Sequence, residues 1–214
     1  MSKDTDRPLR PDWNRLYEIA AGQEGHFTTA QAAGAGYSPQ LLAKHLAGAR
    51  ILHVRRGIYR LSHFPAGEHE DLVVIWLWSE RSGVFSHETA LSLHGLSDVL
   101  PARAHLTLPA TWRGRRLRVP AGVELCFADV EARERAWVGA VPVTTAARTL
   151  LDCAGERVAP DLVRQAFEQA VERGLVGRGA VPAVEAYLAE FFPPSRSRSG
   201  VGARSRSAAS RRVR

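Results

Sequence analysis

Residues 27–61, FTTAQAAGAGYSPQLLAKHLAGARILHVRRGIYRL, decide the fold of this chain. The pattern predicts two short helices, a tight turn between them and a basic β-hairpin. Thr28 and Gln31 stand at the spacing of a capping box, in which each side chain satisfies a backbone N–H at a helix start. The first of the two helices is therefore expected to open at Thr29 and to end near Gly34.

The second helix is expected to run from Pro39 to about Ala49. Ser38 caps well, and Pro39 at the first helical position gives up an N–H that would be unpaired anyway. The apolar positions that share one face are Leu42, Leu46 and Ala49. Gln40, Ala43, Lys44 and Ala47 then point outward. Such a slim face can approach a groove closely.

After Arg50 the apolar residues become typical of strands, and Arg55-Arg56-Gly57 is expected at the tip of a hairpin. Arg60 follows on the returning strand. This order of helices and strands predicts a winged helix-turn-helix, with the hairpin as the wing.

A recognition helix in the major groove and a wing on adjacent phosphates would bind double-stranded DNA. In this interpretation Gln40 and Lys44 read bases. The full predicted DNA-binding set is Thr29, Ser38, Gln40, Lys44, Arg55, Arg56 and Arg60. The alternative is a winged-helix module that mediates protein contacts only. The basic hairpin tip favours DNA, because phosphate contact requires cationic side chains.

The net charge of +7 is unevenly distributed. Residues 195–214 contain seven arginines and no acidic residue, so residues 1–194 are neutral overall. Residues 1–66 hold nine basic against five acidic residues, and residues 67–194 hold 13 against 17. The high pI is therefore weak evidence for DNA binding by itself, and the prediction depends on where the basic residues lie.

The order of predicted elements indicates a mixed α/β (α+β) protein in four segments. A first helix is expected from its cap Asp12 to Gly22, and Tyr37 is expected to pack between the helices of the N-terminal part. These are a disordered N-terminus (1–11), the winged helix (12–66), an α/β domain (67–193) and a disordered Arg/Ser-rich tail (194–214). In the second domain short strands are expected at 84–85, 105–108 and 123–127, with 141–143 as an edge strand. Helices are expected to start near Glu70, Ser86, Thr145, Pro160 and Pro182.

The longest apolar run, 72–78, is too short to span a bilayer, and the polar start is unlike a signal peptide, so a cytoplasmic protein without membrane contact is expected. Cys126 and Cys153 lack the spacing of a zinc site and are expected to be reduced. His87 and His94, with Glu88 and Asp98, suggest an acid–base group. Because no positioned nucleophile or third ligand accompanies them, we predict no catalytic residue, metal or cofactor.

Two alternatives stay open at this point. The first is a nucleic-acid hydrolase with catalysis in the second domain. The second concerns the predicted Arg-rich loop, which could contact phosphates or an acidic partner, or could simply be a solvated charged loop. Its arginines are Arg113, Arg115, Arg116 and Arg118.

Four motifs resemble the AbiEi family of antitoxins from type IV toxin-antitoxin systems, over about residues 12–190. They are GHFTTAQAAGAGYS, RRGIYRLSHFP, SHETALSLHGLSDVLP and GAVPVTTAARTLLD. The resemblance implies a winged helix that represses its own operon by binding promoter inverted repeats, as a monomer or homodimer on DNA. It also implies a second domain with antitoxin activity, opposing a nucleotidyltransferase-like toxin without a stable complex.

Overall fold

The computed structural model describes residues 10–193, which form a mixed α/β chain with two sheets. The expected disorder at both ends concerns residues 1–9 and 194–214, which lie outside the described part. Arg10 and Pro11, which belong to the predicted N-terminal segment, are exposed and precede the first helix.

The N-terminal part contains three helices and a three-stranded antiparallel sheet. The order is α1 (Trp13–Ala21), β1 (His26–Thr28), α2 (Thr29–Gly34), α3 (Pro39–Ala47), β2 (Ile51–Arg55) and β3 (Ile58–Leu61). The strands lie in the order β1-β3-β2, so β3 is central. The sequence did not predict β1, because three residues give too short a pattern to recognise.

The predicted helix starts are confirmed by their caps. The side chain of Asp12 accepts from the backbone N–H of Arg15 at 3.0 Å. The Thr28 hydroxyl accepts from the N–H of Gln31 at 3.2 Å, and the Gln31 amide oxygen accepts from the N–H of Thr28 at 2.8 Å. Each bond satisfies a backbone donor that a helix start leaves unpaired. These caps fix where α1 and α2 begin.

The predicted end of α3 is wrong by about two residues. The helix ends at Ala47, Gly48 forms its C-cap, and Ala49 has a φ of +52°. That left-handed conformation turns the chain toward β2, so Ala49 is exposed rather than on the buried face with Leu42. Leu42 itself is 2% exposed.

One hydrophobic core joins the three helices to the sheet. Its buried members are Leu16, Ala20, Phe27, Ala32, Ala35, Tyr37, Leu42, Ile51 and Leu61. Tyr37 lies between the helices as predicted, at 5% exposure. Because the outward side of α3 contributes nothing to this core, packing leaves that side free for other contacts.

The second part begins with α4 (Glu70–Trp78), which crosses one face of a five-stranded sheet. The elements that follow are β4 (Val84–Phe85), α5 (His87–Leu93), β5 (Ala104–Leu108), β6 (Val123–Phe127), β7 (Arg135–Val138), β8 (Val141–Thr144), α6 (Ala146–Gly155), α7 (Pro160–Glu172) and α8 (Pro182–Phe191). The strand order is β6-β5-β4-β8-β7. The helix starts predicted for this part are confirmed within one residue.

The prediction of 141–143 as an edge strand is wrong. β8 lies between β4 and β7, and its four residues are buried. β7, which the sequence did not reveal, is the edge. Pro142 lies opposite Trp137 of β7, and β8 pairs with β4 only through Val143 and Phe85.

The two parts are in direct contact. The Glu24 carboxylate accepts from the backbone N–H of His69 at 3.0 Å. Ile58 of β3 packs into the core that contains Val73 and Trp76 of α4. The N-terminal sheet is therefore anchored on α4. Within residues 10–193, no helix is long and apolar enough to cross a membrane.

Candidate nucleic-acid interface

The outward face of α3 carries the residues that the sequence assigned to base reading. Gln40 and Lys44 are exposed, as are Ala43 and Ala47 on the same side. Ser38 uses its hydroxyl to accept from the N–H of Leu41 at 3.2 Å, so it caps the helix. The face thus presents one amide and one ammonium group between small residues, and the described residues of the second part leave it uncovered.

A cationic patch lies at the C-terminal half of α3. Burial, followed by the neighbouring Arg50 and Lys44, lowers the pKa of His45. Arg50 is exposed immediately before β2. Sequence reasoning placed Arg50 only at the change of pattern and did not include it in the contact set. A basic residue in the short connection between α3 and β2 was the signal that could have identified it.

The β2–β3 hairpin presents Arg56 at its tip, exposed to solvent, with Arg55 half-buried beside it. The tip is fixed to the start of α2. The Thr29 N–H donates to the carbonyl of Gly57 at 2.9 Å, and the Thr29 hydroxyl donates to the same oxygen at 3.4 Å. Thr29 therefore positions the hairpin, and Gly57 turns the chain with a φ of +75°.

Arg60 does not lie on the exposed side of the hairpin, which corrects its predicted phosphate contact. Its guanidinium is 2.6 Å from a Glu70 carboxylate oxygen and donates to the carbonyls of Phe64 and Pro65 at 2.9 and 3.1 Å. The side chain is 14% exposed. The physical reason is that side chains alternate along a strand, so Arg60 shares the face of β3 on which Ile58 packs against α4.

The four arginines after β5 divide into two pairs. Arg113 donates to the carbonyl of Phe127 at 3.1 Å, and the Arg115 guanidinium stacks on the Trp112 ring at 3.9 Å. Arg116 and Arg118 are exposed, and neither makes a side-chain hydrogen bond within the part of the chain that the structure describes. Arg116 and Arg118 are thus available to contact a phosphate or an acidic partner.

The structure separates His94 and Asp98 from His87 and Glu88, the other two residues considered for acid–base chemistry. His94 Nε2 is 2.7 Å from the carbonyl of Thr144, and Asp98 accepts from the Gln165 amide at 2.8 Å. His87 instead lines a cavity that includes Glu88 and Cys126. Burial raises the pKa of the Cys126 thiol to about 11, so the thiol is protonated at neutral pH and is a poor nucleophile.

No protein-family model matches the chain, and no curated protein does. Among solved structures, the crystal structure of RV2827C protein from Mycobacterium tuberculosis is similar over 86% of this chain and 83% of that chain. The two sequences are 17% identical and the TM-score is 0.46. Similarity at this level assigns no function to the chain.

Proposed function

We propose that residues 12–66 form a winged helix-turn-helix that binds double-stranded DNA. The element order α1-β1-α2-α3-β2-β3, with β3 central in the sheet, supports this assignment. The observation that carries it is the exposed outer face of α3, where Gln40 and Lys44 stand beside the basic patch that continues to Arg50. A helix with that face can enter the major groove, where an amide reads adenine and a cation reads guanine.

The hairpin supplies the second contact of the proposed interface. Arg56, with Arg55 beside it, is held near the start of α2 by the bonds from Thr29 to Gly57. A tip that is fixed before binding loses less conformational entropy when it meets a phosphate. Arg60 is excluded from this contact set because it is paired with Glu70.

The biological role that we infer is an antitoxin-type transcriptional repressor that binds inverted repeats in its own promoter. The four motifs that resemble the AbiEi family support this role, and so does the surface proposed for DNA. A repressor of this kind acts in the cytoplasm, where its operator lies. Its counterpart would be a nucleotidyltransferase-like toxin that it opposes without a stable complex, and no catalytic residue is assigned to the chain.

The proposed DNA binding is tested by titrating the full chain with its upstream DNA over a range of salt concentrations. Replacing Arg55 and Arg56 by Ala should lower affinity for all duplexes, and the slope of log K against log salt should fall by about 1 for each phosphate that is no longer neutralised. Arg81→Ala, an exposed arginine just after α4, is the matched control and should leave the slope unchanged. An unchanged slope in the double variant would remove the hairpin from the interface.

A further inference from the structure

A polar groove in the second part is not used by the proposed DNA interface. It encloses about 640 Å³ over β5 and β6, with α6 as one wall and the start of α5 at one end. Its floor consists of His105 and Thr107 from β5 and of Glu124 and Cys126 from β6. We call this the β5–β6 groove. Its volume lies in the range of small-molecule sites in proteins.

The polar floor is the side of β5 that faces away from the hydrophobic core. Leu106 and Leu108 alternate with His105 and Thr107, and both leucines are completely buried in the core under α4. Polar residues on a sheet face that is simply exposed to solvent would not line a cavity. This face instead borders a groove that residues of α6 line from the other side, and His105 and Thr107 are largely shielded from solvent there.

His87 at the end of the groove combines backbone strain with an unused acceptor. Its φ is +52°, which is uncommon for a residue with a side chain, and it is 6% exposed. The Nδ1 atom is 2.9 Å from the Ser86 hydroxyl, which is 2.7 Å from the Thr107 hydroxyl. When Ser86 donates to Thr107, it accepts from Nδ1–H of His87, and the Nε2 lone pair remains available.

Burial lowers the pKa of His87, which keeps the imidazole neutral at neutral pH. Over residues 10–193, its Nε2 makes no side-chain hydrogen bond. Asp152 Oδ2 is buried and has no hydrogen-bond partner within that range, whereas Oδ1 of the same carboxylate accepts from Arg148. A neutral imidazole nitrogen and a carboxylate oxygen both accept hydrogen bonds, so His87 and Asp152 can each offer an acceptor to a ligand in the groove.

Both guanidinium groups of the groove already have partners within the protein. Arg148 contacts carboxylate oxygens of Glu134 and Asp152 at 2.7 Å each, and Arg113 donates to the carbonyl of Phe127. The carboxylates of Glu124 and Glu156 remain exposed on opposite sides of the groove. A complementary ligand must therefore bring the hydrogen-bond donors.

The net charge of the residues that line the groove also favours a ligand that donates hydrogen bonds. Four carboxylates, those of Glu88, Glu124, Asp152 and Glu156, outnumber the two guanidinium groups of Arg113 and Arg148. A phosphate would be repelled by this excess, whereas a cation would be attracted. We propose that the β5–β6 groove binds an organic cation, a small molecule or side chain that carries a guanidinium or ammonium group.

The test is calorimetric titration of the full chain with agmatine, which carries a guanidinium at one end and an ammonium at the other. We expect saturable binding that weakens about tenfold when Glu124→Gln and Glu156→Gln are combined, because charge-assisted hydrogen bonds are removed. Glu172→Gln, an exposed carboxylate of α7 outside the groove, should bind agmatine as the unmodified chain does. Inorganic phosphate should not displace agmatine.

Absence of agmatine binding, or equal binding by the double variant, would overturn the proposal. Thermal unfolding of the double variant distinguishes impaired binding from an impaired fold, because both carboxylates are exposed and their replacement should leave the midpoint nearly unchanged. Retained binding of the double variant to upstream DNA shows that the groove and the α3 surface act separately. Failure of one proposal can therefore be told from failure of the other.

A further variant identifies the source of the cation. The sequence from 195 to 214 contains seven arginines, which can be replaced together by glutamine in the full-length chain. Tighter agmatine binding in this variant would support guanidinium recognition and show that the chain's own arginines compete for the groove. Unchanged agmatine binding would also support the proposal and assign the cation to a separate molecule.

Discussion

The guanidinium of Arg60 and the carboxylate of Glu70 are 2.6 Å apart and join the central strand β3 to the first turn of α4. The pair is mostly shielded from solvent, and further bonds run from Arg60 to the carbonyls of Phe64 and Pro65. One side chain thus holds the end of the N-terminal sheet, the connecting segment and the first helix of the second part together.

Arg60→Ala should destabilise the protein by about 1–3 kcal/mol, because a partly buried carboxylate and two carbonyls lose their donor. Urea unfolding followed by tryptophan fluorescence measures this change. Arg56→Ala, which removes an exposed arginine from the same hairpin, should alter stability by no more than about 0.5 kcal/mol. Equal effects of the two substitutions would show that the ion pair contributes little to folding.

Glu70 should make stability depend on pH in the acidic range. The N–H of Gly67, and then Arg60, lower the pKa of the Glu70 carboxyl below its ordinary value. A depressed folded-state pKa means that the stabilisation is present above the unfolded-state pKa and is lost as pH falls through the folded-state pKa. Unfolding free energies measured from neutral to acidic pH should therefore fall less steeply for Glu70→Gln than for the unmodified chain.

Gln40→Ala should relax sequence preference rather than weaken binding to all DNA. Removing one amide pair to a base costs about 1–3 kcal/mol on the operator, while affinity for a scrambled duplex depends on phosphate contacts and should not change. Fluorescence anisotropy with the two duplexes measures the ratio. Asn14→Ala, an exposed amide on α1, is the control. Equal weakening on both duplexes would contradict base reading by Gln40.

Gly57→Ala tests the fixed conformation of the hairpin tip. The added Cβ meets nothing closer than the Thr29 hydroxyl at 3.7 Å, so the cost of about 1 kcal/mol comes from the φ of +75° alone. We expect reduced stability in thermal unfolding together with weaker DNA binding.

Gly34→Ala at the end of α2 is the control for that substitution, since its Cβ meets nothing within 4 Å and its φ is not positive. It should stabilise the protein by a few tenths of a kcal/mol up to about 1 kcal/mol. If both glycine substitutions had the same sign, the strain assigned to residue 57 would be wrong.

The sequence predicted those features that local chemistry controls. Asp12, Thr28 and Ser38 fix helix starts through bonds that reach three residues along the chain, and such bonds are visible in the sequence. The outward position of Gln40 and Lys44 followed from helical periodicity in the same way. Most of the secondary structure and the exposed face of α3 could therefore be anticipated.

The features that the sequence did not predict depend on distant partners. β1 exists because His26, Phe27 and Thr28 pair with β3, which lies beyond two intervening helices and a strand. Arg60 was predicted to contact DNA because its sequence position does not reveal that Glu70 lies opposite it in the fold. The β5–β6 groove arises where residues of α5, β5, β6 and α6, which are separate in the sequence, line one volume. The residue pattern within one segment does not reveal contacts between elements that are distant in the sequence.

The hydrogen bond that the His69 N–H donates to Glu24 limits which segments of this protein can be exchanged with those of another protein. A Cβ at position 67 would overlap the Glu24 side chain, which would have to move away from its bond to the His69 N–H. Grafting the first 66 residues onto an unrelated protein would transfer Glu24 and Arg60 without their partners, the His69 N–H and the Glu70 carboxylate. Residues 1–66 are a separate segment of the sequence, but they depend on contacts with the residues that follow. A functional chimera would therefore have to include the chain through Glu70.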